Sequence, residues 1–245
     1  MLAADSFLVT SGRVRGWERH WDRFGRVCRR HGIEPGRLDA FRCAVAGLLP
    51  ATGRWFPRVE LVAAREGSPE LRVRVRPAPA LSREAVAWTM SVPDPRQSPR
   101  DKGPDLALLE TWRARARKLG ADEAMLVDRD GRLLEGAFSS LLWWEDDGLC
   151  AVPDEAPILP GVTRGLLLDL ARARGTRVEY RRPRPHDLGG RETWLVSALH
   201  GIRRVSGWIG AERPAGDAGR APAWRPLLDS TAVPVPTAPA EIAAT

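Results

Sequence analysis

The sequence predicts an α+β fold in two parts joined by a proline-rich connector. Three observations lead there. Short apolar stretches alternating with period two recur in pairs around Gly- and Asp-bearing turns, the pattern of antiparallel hairpins. Amphipathic stretches of helical period lie between them and end at glycine or proline. The segment from Pro93 to Pro99, with Asp94, Pro95 and Arg96 inside it, breaks both patterns and marks a domain boundary. The expected division is a small α+β domain over 1–95, a larger domain over 96–229 and a disordered tail over 230–245.

Taken in order, Phe7 to Arg15 reads as strand and turn around Ser11 and Gly12. Glu18 to His31 reads as a helix, with Trp21, Phe24, Val27 and Cys28 on one face and Gly32 as its stop. Leu38 to Leu49 is a second helix ended by Pro50. Trp55 to Ala63 and Leu71 to Val75 alternate on either side of a turn and form a hairpin; Ala85 to Val92 adds a further strand to the first domain. Beyond the connector, Leu106 to Leu119 is a helix capped by Gly120. Two hairpins follow, Ala124–Val127 with Arg132–Gly136 and Leu141–Trp144 with Leu149–Val152. A helix from Thr163 to Arg174 precedes strands at Arg177–Tyr180, Glu192–Leu199 and Val205–Ile209. Trp224, Leu227 and Leu228 are placed for a short docking helix before the tail.

Composition removes several function classes. Hydrophobic residues make up 43% of the 245, enough for a core. No apolar run approaches the roughly 20 residues of a membrane-spanning helix, and no basic leader precedes the first apolar residues. The expectation is therefore a cytoplasmic protein with no membrane partner. Cys28, Cys43 and Cys150 are odd in number and lack CxxC spacing, so they read as reduced thiols and not as a zinc site. The formal charge of +7 comes from arginines spread among acidic residues, and the denser runs at Arg113–Lys118 and Arg181–Arg184 read as solvated faces; no nucleic-acid partner is expected. His31, His186 and His200 have no metal-ligand spacing, and no Walker loop, GxSxG elbow or GxGxxG is present.

Of 38 basic side chains only Lys102 and Lys118 are lysine. A guanidinium is effectively always protonated and forms no Schiff base, so a retained lysine points toward amine chemistry. Lys118 serves as a cation in the last turn of a helix; Lys102 has no such ready role. Pro160 and Gly161 make a turn, and Thr163 can open the next helix, whose free N–H groups and positive dipole end suit a phosphate; the same pattern serves an ordinary capped helix. Glu135 ends a short apolar strand, where its carboxylate can meet a protonated ring nitrogen or solvent. His20 and Arg23 share one turn of the first helix, and Arg23 can bind phosphate bidentately or stand as surface charge.

The order of these pieces carries more than each alone. HxxRF, then Lys102, then GADEAMLVDxxGxLxEGxxSxLL, then ILPGVTR, then a strand leading into ALHGI resembles the class IV aminotransferases dependent on pyridoxal 5'-phosphate, over roughly Phe7 to Ile209. That family has fold type IV, with a small N-terminal α/β domain and a larger β-barrel-like one. It includes branched-chain and D-amino-acid aminotransferases and aminodeoxychorismate lyase. The resemblance implies that Lys102 forms the internal aldimine and shuttles the proton, and that Glu135 pairs with the pyridine nitrogen. It implies that Arg23, Val162, Thr163 and Ser197 bind or border the phosphate, with Ser140 at the cofactor. Arg96, His200 and Arg203 are candidates for the substrate carboxylate. The implied reaction moves an amino group between an amino acid and a keto acid, probed against two alternatives: β-elimination giving 4-aminobenzoate and pyruvate, and a catalytically impaired member acting as a binding protein. A homodimer is implied as well. The sequence departs from the family pattern at Asp105 and Leu106, where Asn-Tyr or Asn-Arg is usual, at Ser140 for asparagine, and at Val196 for threonine.

Overall fold

A computed structural model of the chain describes residues 1–64, 67–210, 216 and 219–236. The chain divides into two units. One contains Met1–Ala80, Asp101–Pro104 and the described residues from Thr231 on; the other contains Leu81–Arg100 and Asp105–Ser230.

The first unit begins with β1 (Ala3–Ser6), β2 (Val9–Thr10) and β3 (Arg13–Arg15). Gly16, at φ 66°, turns the chain into α1 (Trp17–Arg30). The helical period brings Trp17, Trp21, Phe24, Val27 and Cys28 to one buried face. Phe7 meets Trp17 edge-on at 5.2 Å between centroids, and Trp17 meets Trp21 at 5.5 Å, arrangements that favour the ring quadrupoles. Pro35, whose φ suits a first helical turn, opens α2 (Pro35–Leu48). Strands β4 (Arg54–Trp55), β5 (Arg58–Val62) and β6 (Glu70–Arg74) complete the early part. The expected hairpin is β5 against β6, with Leu61 opposite Leu71 and Val59 opposite Val73. β1 pairs on the other side of β5, a strand that the Ala3, Ala4, Asp5 and Ser6 run did not signal because it has no alternation.

The second unit is built on one eight-stranded sheet. Its strands are β7 (Glu84–Thr89), β8 (Glu123–Val127), β9 (Leu133–Gly136), β10 (Ser140–Glu145), β11 (Gly148–Ala151), β12 (Val178–Tyr180), β13 (Thr193–Ser197) and β14 (Gly201–Ile209). Their order is β12-β11-β10-β13-β14-β7-β8-β9. At its two ends, the Leu133 N–H of β9 donates to the Pro183 carbonyl just beyond β12, at 2.7 Å, so the edges of the sheet come together. Helices α3 (Leu106–Lys118), α4 (Val162–Ala173) and α5 (Ala221–Ser230) pack on it.

β10 is buried on both faces. Leu141 and Trp143 belong to one core, with Leu134, Leu195 and Val205; Leu142 and Trp144 belong to another, with Leu167, Leu168 and Trp194. In the second core Trp144, Trp194 and Trp224 form a mutual aromatic cluster with centroids 5.3 to 5.8 Å apart. Trp224 and Leu228 thus dock α5, as their spacing predicts.

Three expectations differ from this architecture. The division falls at Ala80 and not in the Pro93–Pro99 connector, because β7 pairs in parallel with both β14 and β8 and so belongs to the large sheet. β14 starts at Gly201, four residues before the expected Val205. The adjacent Arg203 and Arg204 hid it by breaking the apolar pattern. The expected tail contains β15 (Ala232–Pro234), which pairs with β3 in a sheet of order β15-β3-β2-β4; the rest of that expectation, 237–245, lies outside the described residues.

Candidate active site

The sequence-predicted residues fall into two groups. Lys102 and Arg23 belong to the first unit; Arg96, Glu135, Ser140, Val162, Thr163, Ser197, His200 and Arg203 belong to the second.

In the first unit, the Lys102 carbonyl accepts a hydrogen bond from the Ala4 N–H at 2.7 Å, which fastens the lysine's backbone alongside β1. Arg23 donates through Nε and Nη2 to Asp5 Oδ2 and Oδ1, each at 2.8 Å. His20 Nδ1 lies 2.9 Å from Asp5 Oδ1. All three side chains are buried. Burial alone raises the Asp5 pKa, but the Arg23 guanidinium and His20 outweigh it and hold the carboxyl below the usual range. Burial pushes His20 down against the pull of Asp5, with Arg23 and Lys102 adding to the fall, so the ring is neutral. An ionised carboxylate only accepts, so the proton of that neutral ring sits on Nδ1. Asp5 was missed in the sequence: a single carboxylate in a run of small residues carries no periodic signal.

In the second unit, Glu135 is the penultimate residue of β9 and is buried. Its Oε1 accepts from Arg96 Nη1 at 2.7 Å and from the Leu159 N–H at 2.8 Å. Oε2 has no hydrogen-bond partner among the described residues. Burial raises the Glu135 pKa and Arg96 limits the rise. Arg96, a candidate for the substrate carboxylate, meets the protein's own carboxylates instead: Asp94 at 2.8 Å and Glu135 at 2.7 Å.

The segment after β11 brings Gly161 to the N-cap of α4 with no side-chain cap. Gly165 is the first residue to bond within the helix, to the Gly161 carbonyl at 2.9 Å, so the N–H groups of Val162 and Thr163 have no intrahelical acceptor. Gly161 approaches Ser140 so closely that a Cβ there would lie 2.3 Å from Ser140 Oγ. Ser140 stands opposite Val196 in the register of β10 and β13, one residue from Ser197. A glycine N-cap, bare amides and the Ser140 hydroxyl therefore converge. Arg164 fixes this turn from behind through Asp154 Oδ1 at 2.7 Å and the Val152 carbonyl at 2.6 Å.

The remaining candidates have structural partners. Ser197 Oγ accepts from the His200 N–H at 3.2 Å. His200 Nδ1 accepts from the Ser82 N–H at 3.1 Å; burial together with Arg203 and Arg113 pushes its pKa down to about 4. Arg203 donates to buried Glu123 at 2.9 Å, and Glu123 also accepts from the Ser139 hydroxyl at 2.9 Å. Asp105, where the family pattern has asparagine, accepts from the N–H groups of Gln97 and Ser98 at 3.3 and 2.9 Å and so shapes the end of the connector.

The family model described as amino-transferase class IV matches residues 2–208. The chain belongs to the class IV aminotransferase family. Within that family it is 29% identical to a protein of Mycobacterium tuberculosis (strain ATCC 25618 / H37Rv) named bifunctional aminodeoxychorismate lyase / D-amino acid transaminase; the alignment covers 86% of this chain and 82% of the relative. A solved structure of a hypothetical aminotransferase from Mycobacterium tuberculosis, in a PLP-bound form, superposes with a TM-score of 0.81 at 26% identity, covering 94% of this chain and 88% of the other. The branched-chain amino acid aminotransferase from Escherichia coli shares the fold, with a TM-score of 0.80 at 16% identity over 98% of this chain and 87% of its own. The fold type IV architecture expected from the resemblance is thus the observed one. No helix among the described residues of this class IV chain is long and apolar enough to cross a membrane.

Proposed function

We propose that this chain is a pyridoxal 5'-phosphate-dependent aminotransferase that moves an amino group between an amino acid and a keto acid. The observation that carries the reading is the buried Glu135 carboxylate, tied through Oε1 and without a partner on Oε2 among the described residues. The second unit has the two polar ends that such a cofactor requires. Glu135 Oε2 fits a protonated ring nitrogen. The N–H groups of Val162 and Thr163, with the hydroxyls of Thr163 and Ser140, fit a phosphate at a helix N-terminus. Lys102 would hold the aldehyde carbon, and Ser197 would border the phosphate. The Arg23 atoms Nε and Nη2 are engaged by Asp5, so the phosphate role that the resemblance implies for Arg23 would share the guanidinium with that pair.

When bound, pyridoxal phosphate supplies an electron sink for a carbanion next to the amino nitrogen. The chain's own groups do the rest. Glu135 would keep a positive charge on the ring nitrogen, and the start of α4 would hold the phosphate. The Lys102 amine would take a proton from the substrate's α-carbon and hold it on Nζ for return.

The test is spectroscopic and chemical. Added pyridoxal phosphate should give a visible absorption band, and borohydride should fix it to the peptide bearing Lys102, read by mass spectrometry. No band and no labelled Lys102 peptide would leave the binding-protein reading in its place. Turnover that survives Lys102→Ala would remove the lysine from its role.

A second reading is release of pyruvate from aminodeoxychorismate, favoured by the two activities in the name of the Mycobacterium tuberculosis relative. Pyruvate release without a keto-acid acceptor selects it; transfer to a keto acid without pyruvate release selects the first. The three cysteines are free thiols, in keeping with a reducing, cytoplasmic setting. The homodimer rests on the resemblance, and a monomer in sedimentation velocity at micromolar concentration would overturn it.

A further inference from the structure

Asp94 and Arg96 form a network that the resemblance did not assign. Asp94 is held by its N–H, which donates to the Val127 carbonyl at the end of β8 at 2.8 Å. Its carboxylate accepts from the Arg96 N–H at 3.1 Å and from Arg96 Nε at 2.9 and 3.1 Å. Arg96 Nη2 reaches Asp94 at 2.8 Å and the Pro157 carbonyl at 3.1 Å, while Nη1 reaches Glu135 Oε1 at 2.7 Å. Every guanidinium nitrogen is engaged. One side chain therefore joins the connector, the end of β9 and the segment leading into α4.

The three charged side chains are each between 5 and 7% exposed. They hold two carboxylates and one guanidinium, which is one positive charge short of neutral. A buried unbalanced charge is unfavourable, so the cluster favours an added cation or an added proton. Oε2 of Glu135 is the carboxylate oxygen of Glu135 that no described residue occupies.

We propose that Asp94 and Arg96 are positioning residues for the cofactor's ring nitrogen: they lock Glu135 through Oε1 and leave the cluster short of the one positive charge that a protonated ring nitrogen at Oε2 supplies. This rests on the pyridoxal phosphate reading given above. It divides the labour between the pair. Arg96 favours the ionised form of Glu135 and aims it; Asp94 orients Arg96 and prevents it from neutralising the cluster by itself. The charged groups acting on Glu135 are Arg96, which favours its ionised form, and Asp94, which with burial opposes it.

The test begins with the protein free of cofactor. The Glu135 side-chain carboxyl is followed by carbon-13 NMR across pH in the wild type, Arg96→Gln and Asp94→Asn. Arg96→Gln should raise the midpoint by about one pH unit or more, and Asp94→Asn should lower it, each unit being tenfold in proton affinity. A merely structural role moves both variants the same way or neither, and either result overturns the proposal. Where Arg96→Gln does not fold, Asp94→Asn decides alone: a lower midpoint supports the clamp, an equal or higher one refutes it. Titration with pyridoxal phosphate supplies the second arm. Arg96→Gln should weaken binding about tenfold or more, and Arg96→Lys should recover part of it. Binding as tight as the wild type's in Arg96→Gln would also sink the idea. A wild type that binds no pyridoxal phosphate counts against the functional reading instead, and the NMR arm still decides whether Arg96 and Asp94 set the charge of Glu135.

Discussion

The Ala4 N–H donates to the Lys102 carbonyl at 2.7 Å, and the next residue, Gly103, has no room for a side chain. Its φ is +138°, and a Cβ would lie 2.7 Å from Ala3 Cα, Ala3 C and Ala4 N. Backbone cannot swing aside as a flexible side chain does. Gly103→Ala should therefore lower stability by about 1–3 kcal/mol and shift the lysine. A displacement near 1 Å costs on the order of a hundredfold in rate. Urea midpoints and turnover together check this; a variant equal to the wild type in both would show that the close approach does not position Lys102.

Asp5 balances a buried guanidinium. Asp5→Asn removes the carboxylate that pairs with the buried Arg23 guanidinium, which should cost about 3–5 kcal/mol of unfolding free energy at neutral pH. The sign of the pH dependence follows from a carboxyl whose folded pKa is depressed. Its contribution is present above the ordinary value of 3.8 and declines as pH falls below that toward the lower folded value. Denaturation at pH 7 and pH 3 should show a smaller gap between wild type and variant at pH 3.

His200 should titrate near pH 4, well below its ordinary 6.5, because it is half-buried and lies near Arg203 and Arg113. The unfolded chain takes up that proton first as pH falls, so stability declines from pH 6.5 to about 4. His200→Gln should flatten the stability profile across that window. An imidazole midpoint at 6.5 in NMR would contradict the depressed value.

Gly161 and Ser140 should be coupled. Gly161 has φ −69°, which any residue adopts, so Gly161→Ala is opposed only by Ser140 Oγ at 2.3 Å from the new Cβ. Ser140→Gly should relieve the clash. A double-mutant cycle should return about 1 kcal/mol or more of favourable coupling in stability. Additive effects would mean that the turn into α4 relaxes by another route.

Local pattern made most elements legible. The β10–β11 hairpin follows from two apolar runs on either side of Asp146, Asp147 and Gly148, with Asp146 at φ +50°, and α1 follows from its Trp and Phe spacing. Non-local pairing was less visible. β7 looked like part of the first domain because nothing in Ala85 to Val92 tells which distant strand it will meet, and its partners are parallel. Charged residues inside strands also misled, as with Arg203, whose partner Glu123 lies 80 positions away. At the candidate site, residue types and order were readable, but their pairings were not. Arg96 reads in the sequence as a candidate for the substrate carboxylate, and the fold instead brings Glu135, 39 positions on, against it.

The strand β15 has a consequence for synthesis. The first unit takes its first eighty residues from the start of the chain, a four-residue return at Asp101–Pro104, and its outermost β15–β3 pairing from Ala232–Pro234. A ribosome makes about 5–20 residues per second, so this N-terminal unit waits on the order of ten seconds or more for its last strand while the eight-stranded sheet is being made. The β15–β3 pairing therefore forms only after the strands of the eight-stranded sheet have been made. Cutting the chain before Thr231 would take β15 from β3, its pairing partner near the start of the chain, and from the sheet that the two share with β2 and β4.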